Sequence, residues 1–79
     1  MKTKRLAFIG AGNMARSLIG GLIADGWDPA AISVSDPDSE QLAALAALFQ
    51  VHTDPDNHKV AESGEVVILA VKPQVMSVV

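Results

Sequence analysis

The sequence predicts an α/β fold: a parallel sheet with flanking helices. Three observations carry this expectation. Short apolar runs alternate along the chain with segments of helical period. The run Leu6-Ala7-Phe8-Ile9 passes directly into Gly10, as a strand buried on both faces does. The run Val66 to Val71 is rich in β-branched residues, which suit a central strand. Alternation of this kind implies parallel strands joined by right-handed crossover helices.

Each element follows from its residues. Leu6–Ile9 is the first strand. Met14, Ala15, Leu18, Ile19, Leu22 and Ile23 recur in pairs every four residues and line one face of the first helix. Gly26 ends that helix as a C-terminal cap. Gly20 and Gly21 lie inside it, where each costs about 1 kcal/mol relative to Ala, and close approach to a neighbouring backbone is the expected compensation. Asp28-Pro29 marks a turn. Ile32-Ser33-Val34-Ser35 alternates apolar and polar, a second strand ending at Asp36. Pro37 and Asp38 open a second helix with Leu42, Leu45, Leu48 and Phe49 on its apolar face. Val51-His52-Thr53 is a short third strand. Asp54-Pro55-Asp56-Asn57 is a turn and helix start, leading into a brief helix through Ala61 that Gly64 stops. Val66–Val71 is the fourth strand, and Lys72-Pro73 ends it. Gln74 to Val79 read as the first turns of a further helix.

Composition narrows the function classes. The 79 residues fit one small domain, and 49% of them are hydrophobic, which favours a globular chain over a disordered one. The net charge of −3 gives no broad basic surface. Lys2, Lys4 and Arg5 form only a small cationic cluster, so no nucleic-acid partner and no membrane partner are expected. Absence of cysteine removes a disulfide framework, a thiolate zinc site and a thiol nucleophile, and is compatible with the expected cytoplasmic location. The basic start followed by apolar residues imitates a signal peptide, but Gly10, Gly12 and Asn13 interrupt the run early.

Gly10-Ala11-Gly12-Asn13-Met14-Ala15 fits Gly-x-Gly-x-x-Gly/Ala, the dinucleotide fingerprint of a Rossmann-type domain. Gly10 permits the tight turn out of the strand. Gly12 has no Cβ, so a pyrophosphate can approach the backbone. Ala15 is small, so the helix can lie near the strand. A helix beginning near Asn13 aims its free amides and positive dipole end at the anion. The pattern alone is weak; the preceding strand, the following helix and an acid closing the second strand strengthen it. Asp36 stands about 20 residues beyond the motif, where an acid accepts hydrogen bonds from a ribose hydroxyl pair. Its carboxylate repels the extra phosphate of NADP, and Pro37, Asp38, Ser39 and Glu40 supply no nearby cation. Electrostatics therefore favour NADH. The alternative for Asp36 is a helix cap turned away from ligand.

Other candidates are less specific. Asn57 either donates to a ribose or caps a helix. Lys72, at the carboxyl end of the fourth strand, lies where open parallel sheets bind ligands. His52 and His58 lack the spacing and acidic partners of a metal site, so no metal is expected. Ser17, Ser33 and Ser35 have no evident base, and no catalytic residue is assigned. Met14 reads as core or as a residue brushing the cofactor, and Trp27 as a packing anchor.

Phe8-Ile9-Gly10-Ala11-Gly12-Asn13-Met14-Ala15, the turn at Asp56-Asn57, and Val67-Ile68-Leu69-Ala70-Val71-Lys72-Pro73-Gln74 together resemble the N-terminal domain of pyrroline-5-carboxylate reductases. The resemblance covers essentially the whole chain. It implies reduction of the cyclic imine pyrroline-5-carboxylate to L-proline, the last step of proline synthesis, with NADPH as the usual cofactor. It implies that Gly10, Gly12, Asn13, Met14 and Ala15 cradle the pyrophosphate. Asp36 would face the adenosine ribose and Asn57 the adenosine side, while Ala70, Lys72 and Pro73 would line the site nearer the nicotinamide. Asp36 departs from the small polar residue frequent there, which sets NADH against the NADPH default. The resemblance also implies a helical C-terminal domain that forms a homo-oligomer and supplies the substrate pocket. Residues 1–79 then form the N-terminal part of an incomplete doubly wound domain, and the chain alone is expected to lack reductase activity. Two alternatives stand beside this reading. One is the cofactor domain of another NAD(P)-dependent dehydrogenase, such as a hydroxyacid or prephenate dehydrogenase. The other is a non-catalytic nucleotide-binding module.

Overall fold

A strand that is apolar at every position needs cover on both faces, and the chain provides it for β1 (Leu6–Ile9). The computed structural model describes residues 4–70. After β1 come α1 (Asn13–Ala24), β2 (Ile32–Ser35), α2 (Ser39–Phe49), β3 (His52–Asp54), α3 (Asn57–Ser63) and β4 (Val66–Leu69). The four strands form one parallel sheet in the order β3-β2-β1-β4. The alternation expected from the sequence is therefore the fold adopted. The third strand and third helix each reach further along the chain than their apolar residues suggest.

Strand order determines where the helices go. The crossovers through α1 and α2 step in one direction, from β1 to β2 to β3. The crossover through α3 returns past β2 and β1 to reach β4, so right-handed connections put α3 on the opposite face. Leu6 and Phe8 of β1 and Ile32 and Val34 of β2 pack with Ala15 and Ile19 of α1 and Leu42 and Leu45 of α2 in the main core. Ala7, Ser33 and Ser35 alternate to the α3 face. That face is close-packed: a Cβ added to Gly64, just after α3, would stand 2.6 Å from the Ala7 Cβ.

The helix ends show how local sequence sets boundaries. Asp38 caps α2 by accepting from the Glu40 and Gln41 amides, and Asp56 caps α3 by accepting from the His58 and Lys59 amides. At the far end of α1, Gly26 takes φ 97°. Its amide bonds to the Ile23 carbonyl and the Trp27 amide to the Leu22 carbonyl, the paired bonds of a Schellman ending. Trp27 then packs on the core and donates Nε1–H to the Lys4 carbonyl at 3.1 Å, as expected of an anchor.

Four expectations are corrected. Met14 is 53% exposed and is not core. Leu18 and Leu48 are exposed as well, because short helices on one sheet bury a stripe narrower than their full apolar arc. β4 is not central but an edge strand of the described sheet, paired only with β1. Finally, Gly20 and Gly21 differ. A Cβ on Gly20 would meet the Phe49 ring of α2 at 3.4 Å, whereas one on Gly21 would meet nothing within 4 Å. Only Gly20 makes a close approach, and it is to a ring rather than to backbone.

Candidate functional site

In an open parallel sheet, ligands bind outside the carboxyl ends of the strands where the direction of winding reverses. Here that reversal falls between β1 and β4, and the Gly10–Ala15 turn occupies it. Two sheet-like bonds carry the ladder beyond the strands. The Gly10 amide donates to the Ser35 carbonyl at 2.7 Å, and the Ala70 amide donates to the Ile9 carbonyl at 2.8 Å. Gly10 has φ 111°, a conformation open to glycine and strained for any L side chain. The chain leaves β1 there and turns into α1. Ala15 is fully buried, with Ala11 and Ala70 buried in the same core. Three methyl side chains thus let α1 start close to the sheet.

The first amides of α1 are open to a ligand. The earliest helical bond at this end runs from the Arg16 amide to the Gly12 carbonyl at 3.0 Å. Gly12 is the N-cap and offers no side-chain cap, and the first turn carries no acid. By contrast, α2 and α3 each have an aspartate in that position. A Cβ built on Gly12 meets no heavy atom of the described residues within 4 Å, so none of them crowds this position. The residues present therefore fit a diphosphate: bare main chain, unpaired N–H donors and the positive end of a helix dipole converge on one opening.

Asp36 joins this corner in a way the sequence did not reveal. One carboxylate oxygen, Oδ2, accepts the Ala11 amide at 2.8 Å, and the other, Oδ1, accepts the Asp38 amide at 2.8 Å. The helix-cap alternative for Asp36 is set aside, because Asp38 performs that task. Asp36 instead ties the glycine turn to the start of α2. Each carboxylate oxygen keeps a second lone pair for another donor.

Asn57 is the first residue of α3, and its capping alternative is likewise set aside by Asp56. The Asn57 Oδ1 accepts from the Ser35 hydroxyl at 2.6 Å. Ser35 is fully buried. The structure thus brings together Gly10, Gly12, Asn13, Met14, Ala15, Asp36, Asn57 and Ala70 along one rim of the sheet. Lys72 and Pro73 lie outside the described residues, as do Gln74–Val79. Sequence reasoning missed Ser35, whose only signal was a polar residue at the end of a strand facing a helix.

Among the described residues, no group of three or more His, Asp, Glu or Cys stands close enough to hold a metal ion. No helix among them is long and apolar enough to cross a membrane. His52 and His58 are exposed. A cavity of about 260 Å³ opens between α3 and the β3 side of the sheet, beside Ser33, Thr53, Val60 and Ser63. No residue of the glycine turn lines it.

The chain is similar to known proteins in sequence and in fold. A protein-family model described as "NADP oxidoreductase coenzyme F420-dependent" matches residues 5–79. A pyrroline-5-carboxylate reductase of Pseudomonas aeruginosa is 51% identical over 79 residues, covering 100% of this chain and 29% of that protein. One from Haemophilus influenzae is 47% identical over 77 residues, covering 98% of this chain and 28% of that protein. The solved structure of a pyrroline-5-carboxylate reductase from Coxiella burnetii superposes with a TM-score of 0.88 at 42% identity, covering 96% of this chain and 28% of that one. The resemblance to pyrroline-5-carboxylate reductases is borne out, and the chain spans less than a third of the length of these relatives. With the family model matched along residues 5–79, the chain belongs to the coenzyme F420-dependent NADP oxidoreductase family, as an NAD(P)-binding domain of Rossmann type.

Proposed function

We propose that the chain supplies the cofactor-binding part of a pyrroline-5-carboxylate reductase, which reduces the cyclic imine to L-proline. The observation that carries this reading is the uncapped start of α1 at Gly12, with open space beside it, on a chain similar along its whole length to reductases of that name. When bound, the nicotinamide supplies the hydride for the imine carbon, and a proton reaches the nitrogen to complete the amine. The chain's own residues bind and orient. The amides of Gly12, Asn13 and Met14 take the diphosphate oxygens, and Ala15 keeps α1 close enough to do so. Asp36 accepts from the adenosine ribose hydroxyls with its remaining lone pairs, and Asn57 donates on the adenosine side. Ala70, followed by Lys72 and Pro73, borders the nicotinamide end. Substrate pocket and oligomer contacts belong to the remaining length of the full-length protein, and the cytoplasm is its compartment.

NADH is the preferred cofactor in this reading. The Asp36 carboxylate stands where the 2′-phosphate of NADPH would come, and Asp38 and Glu40 add negative charge behind it. The test is an assay of the full-length protein with pyrroline-5-carboxylate and each cofactor, following loss of reduced nicotinamide. Turnover with a higher kcat/KM for NADH is expected. No turnover with either cofactor would overturn the activity, and a higher value for NADPH would overturn the preference alone.

A further inference from the structure

The α3 face of β2 carries a fully buried hydroxyl, that of Ser35, which the proposed function does not use. Ser35 is 0% exposed and is the one buried polar side chain among the described residues. A hydroxyl in such a place needs a partner, and its partner is the carboxamide of Asn57, at 2.6 Å. Ser35 donates, and the Asn57 oxygen accepts. Through its carbonyl the same residue holds the Gly10 amide at 2.7 Å. One residue therefore touches both the glycine turn and the first residue of α3.

The direction of the bond matters. A carboxamide whose oxygen is engaged presents its two N–H donors at the other end of the group. Asn57 is exposed, and the helix does not need it as a cap, because Asp56 accepts from the His58 and Lys59 amides. Its side chain is thus held in one orientation by a buried donor, with donor groups to spare. Acceptors suited to those donors are the oxygens of a ribose.

We propose that Ser35 is a positioning residue for the dinucleotide, acting through Asn57. Its hydroxyl fixes the carboxamide so that the Asn57 N–H donors meet the adenosine ribose without first losing rotational freedom. The inference rests on the assignment of Asn57 to the adenosine side.

A double-mutant cycle on the full-length protein tests it, read as the dissociation constant for NADH by nicotinamide fluorescence. Asn57→Ala is expected to weaken binding about tenfold, and Ser35→Ala about fivefold, the weight of one neutral hydrogen bond. In the Asn57→Ala background, Ser35→Ala is expected to change nothing further. A purely structural serine would cost the same in both backgrounds, and that result overturns the proposal. So does a Ser35→Ala variant that binds as tightly as the parent while Asn57→Ala is weak. If Asn57→Ala itself binds normally, the fault lies with the placing of Asn57 at the cofactor. Ser35→Cys, close in volume and a poor donor, repeats the measurement should the alanine variant unfold; parent-like binding by it likewise overturns the proposal.

Discussion

Gly12 and Asp36 separate two effects that often travel together, fold stability and ligand affinity. Gly12 takes φ −76° and ψ −165°, values open to any residue, and an added Cβ meets nothing within 4 Å. Gly12→Val should therefore still fold, losing only the about 1 kcal/mol by which Val is a poorer N-cap than Gly, yet show no binding in a nicotinamide fluorescence titration, because its methyl groups fill the diphosphate's space. Retained binding would mean that the phosphates lie elsewhere. Asp36 behaves differently, because its carboxylate already accepts the Ala11 and Asp38 amides. Asp36→Ser leaves at least one of those donors without its partner, and a hydrogen bond to a charged group contributes about 1.5–3 kcal/mol. Affinity for both dinucleotides should fall, with NADH losing more, so that the NADH-to-NADPH ratio of kcat/KM drops. An unchanged ratio would leave Asp36 as a tie between loops and nothing more. At this scale the sequence displayed half of the corner. Gly-x-Gly and a distant acid are spacing signals and can be read along the chain. The second attachments of Asp36 and Ser35 cannot, since each depends on which backbone another element brings alongside.

Helices and strands were more legible, because their limits are written in neighbouring residues. Asp38 and Asp56 precede the helices they cap, and Gly26 follows the one it ends. Gly64 is the exception. Read along the chain it is a helix terminator, but its φ of −102° requires no glycine. What requires it is Ala7, whose Cβ and amide would stand 2.6 and 2.9 Å from an added Cβ. Gly64→Ala should lower stability by about 1–3 kcal/mol through overpacking of α3 on β1. Chemical denaturation of the two proteins measures this, and Ala7→Gly in the same chain should restore part of the loss. Gly21→Ala is the contrasting case: exposed and without neighbours, it should raise stability by about 0.5–1 kcal/mol by denaturation. A fall in stability would mean that the helix pays for something there beyond chain entropy. The misreading of Met14 and Leu18 belongs to this scale as well. Helical period reveals which residues share an arc, but the width of the arc that a four-stranded sheet covers is a tertiary quantity.

At the scale of the molecule, the order β3-β2-β1-β4 leaves β4 with one neighbour among the described residues. Val66, Val67 and Leu69 remain exposed on it, Leu69 by 61%. Met14 and Leu18 add apolar surface on α1, where Leu18 lies ~100° round from Ile19, on the side away from Gly20 and α2. An apolar strand edge pairs readily with another chain. The chain alone should self-associate with rising concentration in sedimentation experiments, and Val67→Lys should reduce this. A parent chain that stays monomeric throughout would contradict the expectation. The sequence announced a parallel sheet through its alternation but not the rank of each strand within it. Six apolar residues in a row look the same whether their second neighbour is present or not.

Trp27 offers a practical dividend. It is the single tryptophan of the chain, and its bond to the Lys4 carbonyl ties it to the strand-entry rim, the end of the sheet away from the glycine turn. Its ultraviolet emission is a built-in gauge of whether a variant has folded. Since it sits apart from every residue altered above to probe the cofactor, its emission, read on this chain before any dinucleotide is added, reports folding without being disturbed by those substitutions.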